Sequence, residues 1–319
     1  MATEAISALP HTNPLKAKIE ALKTEKQAVV LAHYYQVPEI QEVADFTGDS
    51  LGLAREAAKT DARMIAFAGV HFMAETAKIL CPDKKVVLPD TNAGCSLADA
   101  CPPDAFRDFI QHHPNHVVVT YVNCSAEIKA MSDIVCTSSN AKAIINSIPA
   151  DKPILFAPDK NLGQYLIRET GRDMLLWEGV CQVHEAFSAE KLSDLIDEYP
   201  NAEVMAHPEC NNLIRQFADF IGSTGKMLTR SRESASKQFI VLTEPGLLHE
   251  MEKQNPGKEF IPAAPIFETS CACSECEFMK LNTLEKLEAC MREDSPKIEL
   301  EQSVIEKAYR PIERMLNET

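Results

Sequence analysis

No stretch of this sequence reaches the ~18 consecutive apolar residues that a membrane-spanning helix requires, and no stripe of lysine and arginine runs along it. Basic residues are the scarcer sign: 32 Lys and Arg stand against 47 Asp and Glu, a formal net charge of −15. That balance argues against nucleic acid or an anionic membrane as the main partner. The opening segment MATEAISALPHTNPLKAKIE has no apolar h-region and is not rich in arginine, so it reads as neither a signal nor a transit peptide. Eleven cysteines, an odd number without framework spacing, do not describe a disulfide-stapled chain. A reducing, cytoplasmic setting with free or metal-bound thiols is expected instead. What remains is 319 residues without low-complexity runs, 45% hydrophobic and 25% charged. That is long enough for two or three domains with real cores.

One pattern occurs three times, in VVLAHYYQVPEIQEVADFTGDS (29–50), VVVTYVNCSAEIKAMSDIVCTSS (117–139) and AEVMAHPECNNLIRQFADFIGST (202–224). Each copy opens as a short apolar strand and ends it in a polar trio: His33-Tyr34-Tyr35, Tyr121-Val122-Asn123, His207-Pro208-Glu209. A helical pattern follows, then an Asp (Asp45, Asp133, Asp219) and a hydroxyl residue. His33 to Ser50, Tyr121 to Ser138 and His207 to Thr224 are each 17 residues apart. A second strand (64–69, 154–158, 239–245), a helical stretch and a third strand (85–90, 173–179, 259–265) complete each copy. Just beyond the third strand lies a cysteine, Cys95, Cys181 or Cys276, and a closing helix runs on to Pro114, Pro200 or Pro296.

Apolar strands alternating with helices predict an α/β fold of short parallel sheets covered on both faces. The period predicts three pseudo-threefold αβα units, 27–114, 115–200 and 201–296. A helical segment (1–26, with Leu15, Ile19 and Leu22 on one face) precedes them, and a C-terminal helix (297–319, from about Glu301) follows. Ligands of open parallel sheets collect beyond the carboxyl ends of the strands. The trios, hydroxyls and cysteines all sit at such ends, so three units around one axis would aim them at a central cavity.

The run CACSEC (271–276) could by its own spacing be a zinc knuckle, a redox pair or a cluster site. The repeat selects one cysteine per unit, Cys95, Cys181 and Cys276, and leaves Cys271 and Cys273 without counterparts. Cys81, Cys101, Cys124, Cys136, Cys210 and Cys290 are not threefold-related and read as small buried apolar side chains. Three convergent thiolates near helix starts make a soft, anionic site. Three protein ligands rather than four leave a position for substrate, the arrangement of a Lewis acid.

His33, Tyr35, Tyr121, Asn123, His207 and Glu209 are proton-transfer and hydrogen-bonding groups. Ser50, Ser138, Ser223 and Thr224 precede helical segments; singly they read as caps, together they suit a small polyanionic substrate. GSTGKM (222–227) lacks the spacing of a phosphate loop and is not read as a nucleotide site. His71, His112, His113, His116 and His184 have no threefold partners and read as surface or satisfied core residues.

LAHYYQ, GDS, YVN, TSSN, WEGVCQVHE, AHPEC, GSTGKM and CxxCEFMKLN occur in that order and together resemble the quinolinate synthase family, the A protein of de novo NAD biosynthesis, over residues 27–316. The resemblance implies three αβα domains around a [4Fe-4S] cluster on Cys95, Cys181 and Cys276, one iron being open to substrate. It implies condensation of iminoaspartate with dihydroxyacetone phosphate to give quinolinate, phosphate and two waters. His33, Ser50, Asn123, Ser138, Ser223 and Thr224 correspond to carboxylate- and phosphate-binding groups. Tyr35, His207 and Glu209 correspond to a proton-transfer set, and Tyr121 to a residue that orients an intermediate. Some members carry CxxCxxC at the third ligand; here the first of those positions is Ser270, which leaves Cys273 and Cys276 as a pair that oxidation could join. Transient contact with an aspartate-oxidising enzyme is a further expectation, because the imine hydrolyses in water.

Two other readings compete. A different [4Fe-4S] hydro-lyase acting on a small hydroxy acid would need no His/Tyr/Glu set for a second, phosphorylated substrate. A non-enzymatic redox sensor or zinc scaffold built on CACSEC alone would keep its metal when Cys95 and Cys181 are lost.

Overall fold

A computed structural model describes residues 13–265 and 274–318; the expectations for Cys271, Cys273 and a Cys273–Cys276 disulfide lie outside the described residues. Twelve strands form three four-stranded, all-parallel sheets. The first contains β1 (Ala28–His33), β2 (Phe46–Gly48), β3 (Met64–Ala68) and β4 (Lys85–Val87) in the order β2-β1-β3-β4. The second repeats that order with β5 (Val117–Tyr121), β6 (Ile134–Cys136), β7 (Ile154–Ala157) and β8 (Met174–Leu176). The third repeats it with β9 (Glu203–Ala206), β10 (Phe220–Ile221), β11 (Gln238–Leu242) and β12 (Glu259–Pro262).

Three strands per unit were expected, and each sheet has a fourth, β2, β6 or β10, directly after the repeated Asp. These edge strands have only two or three residues, too short to show a strand period. A carboxylate fixes where each begins. Val30 N–H donates to Asp45 at 2.7 Å, Val118 N–H to Asp133 at 2.8 Å and Val204 N–H to Asp219 at 2.9 Å. The same three Asp residues return their own N–H to the carbonyls of Val30, Val118 and Val204, each at 2.9 Å. The Asp of the repeat is thus the first rung of the edge ladder, and it occupies a donor that would otherwise be buried and unpaired.

Side chains alternate across the central strands as the pleat requires. Leu31, Val119 and Met205 face one layer of helices, while Val30, Val118 and Val204 face the other. On the first side each sheet is covered by its own helices: 50–59 and 71–80, 141–147 and 160–170, or 224–233 and 246–254. The second side is covered differently. Phe106, from the helix Pro103–Gln111 that closes the first repeat, packs with Val118, Leu155 and Ala157 of the second sheet. Leu192, from Ala189–Glu198, packs with Val204, Ile240 and Leu242 of the third sheet. Leu287 and Met291, from Leu284–Glu293, pack with Val30, Ala32 and Met64 of the first sheet, beside Ile19 and Leu22 of the N-terminal helix Pro14–Lys26.

Each closing helix therefore covers the next sheet, in cyclic order. Boundaries placed after Pro114 and Pro200 follow the repeat period, but packing groups the elements with a different phase. A repeat fixes its period and leaves its starting point arbitrary. The C-terminal helix Gln302–Asn317 lays Ala308, Ile312 and Met315 into the core shared by the first two sheets.

Removing the carboxylate of Asp45, Asp133 or Asp219 by substitution with Ala leaves a buried N–H unpaired and should cost about 1–3 kcal/mol in urea unfolding. Replacement by Asn, which keeps an acceptor, should cost clearly less. Equal losses for Ala and Asn would show that the strand donor is not what the carboxylate serves.

Candidate active site

Three equivalent helix starts meet at one point. Asp49 accepts from Gly52 N–H (2.8 Å) and caps the helix Ser50–Lys59, and Ser223 caps Thr224–Glu233 by accepting from Lys226 N–H (3.3 Å). Ser139, just before the helix Ala141–Ser147, donates to Asp49 Oδ2 at 2.6 Å and lies 2.8 Å from Ser223 Oγ. Above this clasp is a cavity of about 650 Å³. His33, Tyr35, Ser50, Tyr121, Asn123, Ser138, His207, Glu209, Thr224, Cys95, Cys181 and Cys276 all line it. Ser223 does not; it lies fully buried one residue behind the wall, in its capping role.

The cysteines occupy equivalent places. Cys95, Cys181 and Cys276 are the N-cap residues of three one-turn helices, Ser96–Asp99, Gln182–Glu185 and Glu277–Lys280, in the segments that cross from one sheet to the next. Burial pushes the Cys95 thiol up to about 12 and Cys276 up to about 11, and it raises Cys181 as well. The thiols also raise one another, Cys276 acting on Cys95 and Cys95 on Cys181. Backbone N–H groups of the short helices work the other way on all three.

Two histidines hold the same backbone geometry. Tyr35 N–H donates to His33 Nδ1 (3.2 Å), and Glu209 N–H donates to His207 Nδ1 (3.4 Å). An Nδ1 that accepts carries no proton, so each neutral ring has its hydrogen on Nε2. His207 Nε2 lies 3.3 Å from Ser138 Oγ. Burial lowers both imidazoles to about 3, and His184 presses His207 down further. The 3.5 Å approach of His207 Nδ1 to Glu209 Oε1 is therefore not an ion pair.

His184, read from sequence as a surface or satisfied core residue, lines the cavity. It is buried and stacked on His207, with ring centroids 4.5 Å apart and planes 19° from parallel. Its Nδ1 is 3.2 Å from Glu209 Oε2, and Tyr121 donates its O–H to Glu209 Oε1 at 2.5 Å. Burial alone would raise the Glu209 carboxyl, but His184 beside it and the bonds from His184 and Tyr121 outweigh it and hold the group below its usual range. Tyr35 and Tyr121 are pushed up by burial first and by the Glu209 charge second, which keeps both phenols protonated. The signal for His184 in the sequence was only its place three residues after Cys181, one helical turn from a candidate ligand.

Lys280, Gln182, Thr137 and Asp49 are further lining residues that the repeat did not single out. Lys280 donates to buried Glu244 (2.7 Å) and to the carbonyl of Tyr35 (2.7 Å), and Glu244 also accepts from Cys276 N–H at 3.3 Å. Asn123 Oδ1 and Ser274 Oγ are buried at the cavity without a partner among the described residues. Cys181, His184 and Glu209 offer ligand atoms within 4.8 Å of one another and could hold a metal ion.

Parallel-sheet ends that bring acids, neutral imidazoles, phenols and thiols together in one cavity define an α/β enzyme of three repeated units. The chain belongs to the quinolinate synthetase A protein family, whose model matches residues 17–317. It is similar to the quinolinate synthase of Synechococcus sp., 59% identical over 302 residues, covering 95% of this chain and 94% of the relative. The enzyme of the same name from Chloroherpeton thalassium is 60% identical over 299 residues, covering 94% and 92%. That of Thermosynechococcus vestitus is 58% identical over 315 residues, covering 99% and 98%. No helix among the described residues is long and apolar enough to cross a membrane.

The two depressed imidazoles fix a pH dependence. Unfolded histidines titrate near 6.5, whereas His33 and His207 bind protons only near 3. As pH falls from 6.5 toward 3 the unfolded state takes up protons that the folded state refuses. Stability should then fall by up to ~1.4 kcal/mol per pH unit for each histidine. Urea midpoints of the metal-free chain should drop between pH 7 and pH 5, and His33→Gln should flatten the slope. An unchanged slope would mean that His33 is not held neutral.

Proposed function

We propose that this enzyme condenses iminoaspartate with dihydroxyacetone phosphate to form quinolinate, phosphate and two waters, a step of NAD biosynthesis, in a cytoplasmic setting. The observation that carries the reading is the arrival of three thiols, from three separate inter-sheet crossings, in the cavity that also holds Tyr35, Glu209 and the two neutral histidines. The names of the 56–60% identical relatives support it.

Cys95, Cys181 and Cys276 would hold a [4Fe-4S] cluster, and the donor set fits one. Thiolates suit iron–sulfur clusters, and three of them leave one iron open. A single ion gathers its ligand atoms closely, and the one set within 4.8 Å among the described residues is Cys181, His184 and Glu209, not the three thiols. Bound cationic iron would also reverse the preference for protonated thiols that burial imposes. When bound, the open iron would supply a Lewis acid that stabilises a departing hydroxide.

The remaining work falls to the chain. His33 and His207, with hydrogen on Nε2, and the hydroxyls of Ser50, Ser138 and Thr224 would donate to substrate carboxylates and phosphate. Asn123 would use its unpartnered Oδ1 to accept from the imine nitrogen or a hydroxyl. Ser223, behind the wall, would act through the cap it forms. Glu209, held ionised, is the base, and Tyr35, held protonated, is the acid for isomerising the triose phosphate and for the later dehydrations. Tyr121, bonded to Glu209, would orient the condensed intermediate, and His207 would assist proton transfer from beside it. An aspartate-oxidising enzyme would supply the labile imine.

Protein purified without oxygen should carry roughly four irons and four acid-labile sulfides per chain, and Cys95→Ala should carry none. Zinc instead, or iron that persists without Cys95, would remove the cluster from this account. With the cluster loaded, Glu209→Gln should lower quinolinate formation by about 10²-fold or more. Condensed product at the parent rate would show that Glu209 is not the base.

A further inference from the structure

The short helices that follow the polar trios, Pro38–Gln41, Ala126–Ala130 and Asn212–Arg215, carry a buried donor at the same place. Gln41, Lys129 and Arg215 each stand four residues before the Asp that opens an edge strand, and all three are buried. Gln41 Nε2 donates to the carbonyls of Tyr34 (3.0 Å) and Gln36 (2.8 Å), and also to that of Gly246 (2.9 Å). The Lys129 ammonium donates to the Cys124 carbonyl and to that of Phe72 (3.5 Å). Arg215 Nη1 donates to the carbonyls of Pro208 (2.7 Å) and Asn161 (2.5 Å). The near acceptors belong to the trios or directly follow them. The far acceptors are equivalent to one another. The sheet registers pair Ala68 with Ala32, Ala157 with Thr120 and Leu242 with Ala206, and Phe72, Asn161 and Gly246 each stand four residues further on. The first sheet's donor thus reaches the third sheet's helix, the second's reaches the first and the third's reaches the second. Three clasps close a ring.

We propose that Gln41, Lys129 and Arg215 are positioning residues that clasp each polar trio to the neighbouring unit, so that the three trios enter the cavity in fixed relation. Among the described residues, every hydrogen bond of Lys129 and Arg215 goes to a backbone carbonyl and none to a carboxylate. Burying a cation on carbonyls alone costs more than filling the same space with an apolar side chain. Packing by itself does not call for these residues; what they supply is donors aimed in two directions. Arg215 shows the use. Its acceptor Pro208 lies between His207 and Glu209, and across the same seam Tyr121 donates to Glu209 and His207 meets Ser138. Those contacts need residues 207–209 at a set distance from the second sheet, and the guanidinium fixes it by holding Pro208 to Asn161. Without that donor the two carbonyls lose their common partner, the seam is free to widen and Glu209 draws away from Tyr121. The consequence for turnover rests on the reading of Glu209 as the base given above.

The test compares Arg215→Met, which keeps an unbranched chain without a donor, with Arg215→Lys, which keeps a donor and the charge. In the metal-free full chain, amide hydrogen exchange in the segments around Asn161 and Pro208 should quicken about tenfold or more in Arg215→Met. The equivalent segments at the other two seams should stay within about twofold of the parent. Arg215→Lys should restore most of the protection. In cluster-loaded enzyme of equal iron content, kcat for Arg215→Met should fall about tenfold or more with KM within about threefold, and Arg215→Lys should recover most of it. If Arg215→Met does not fold, Gln41→Met, which removes no charge, puts the same question to the segments around Tyr34 and Gly246. Exchange that is unchanged, or that quickens equally at all three seams, would overturn the proposal, as would a lysine variant as impaired as the methionine one. The exchange is measured without substrate or cluster, so it stands apart from the reaction assignment. A parent enzyme that forms no quinolinate would sink that assignment and leave the exchange result to decide the clasp.

Discussion

A parallel sheet has two unlike ends, and in this chain all three sheets turn their carboxyl ends inward because each is joined to the next by a helix that covers its neighbour. The crossings from β4, β8 and β12 to the closing helices each include one of the threefold-related cysteines, at the start of a one-turn helix. Cys95, Cys181 and Cys276 thus belong to the joints of the ring more than to any one unit. Their mutual placement depends on all three helix–sheet interfaces at once, where Phe106, Leu192, Leu287 and Met291 are buried. On the proposed reading, a shape so determined would hold the three soft donors in place.

The reaction proposed above would bring anions into a protein of net charge −15. Among the described lining residues Lys280 is the only Lys or Arg, and it is already engaged by Glu244 and the Tyr35 carbonyl. Favourable contacts for the proposed carboxylates and phosphate would come from dipoles: neutral imidazole N–H groups, hydroxyls and helix starts. Such groups attract anions without introducing a mobile positive charge that would pair with Glu209. They also explain why the two symmetric histidines are kept neutral by burial while a third, His184, is turned toward a carboxylate.

Much of the architecture was legible because strand and helix periods differ and the polar intervals recur unchanged. The central strands, the closing helices, the N-terminal helix with Ile19 and Leu22, and twelve cavity-lining residues all follow from that repetition. What failed to show had definite causes. β2, β6 and β10 have only two or three residues, too few for an alternation to repeat, so only the Asp before each marked them. The handing-on of the closing helices could not be seen, since a periodic sequence does not say where a unit starts. Ser223 caps its helix one residue behind the cavity wall, and a cap and a ligand-binding hydroxyl look alike in sequence. His184 was overlooked for a deeper reason: arguing from threefold equivalence discards whatever breaks it.

The cyclic helix exchange also bears on synthesis. On the ribosome the first sheet emerges early, with β1, β3 and the N-terminal helix available to one another. The helix that completes its cover, Leu284–Glu293, is translated after all three sheets. Val30, Ala32 and Met64 therefore wait behind a single helix, partly exposed, while about 200 further residues are made. On the faces covered by Phe106 and Leu192 the second and third sheets suffer no such delay, because those helices precede them. Truncation near residue 280 would thus damage the beginning of the chain, and the nascent protein's interval of greatest exposure to chaperones and to aggregation should end only when its last unit closes the first.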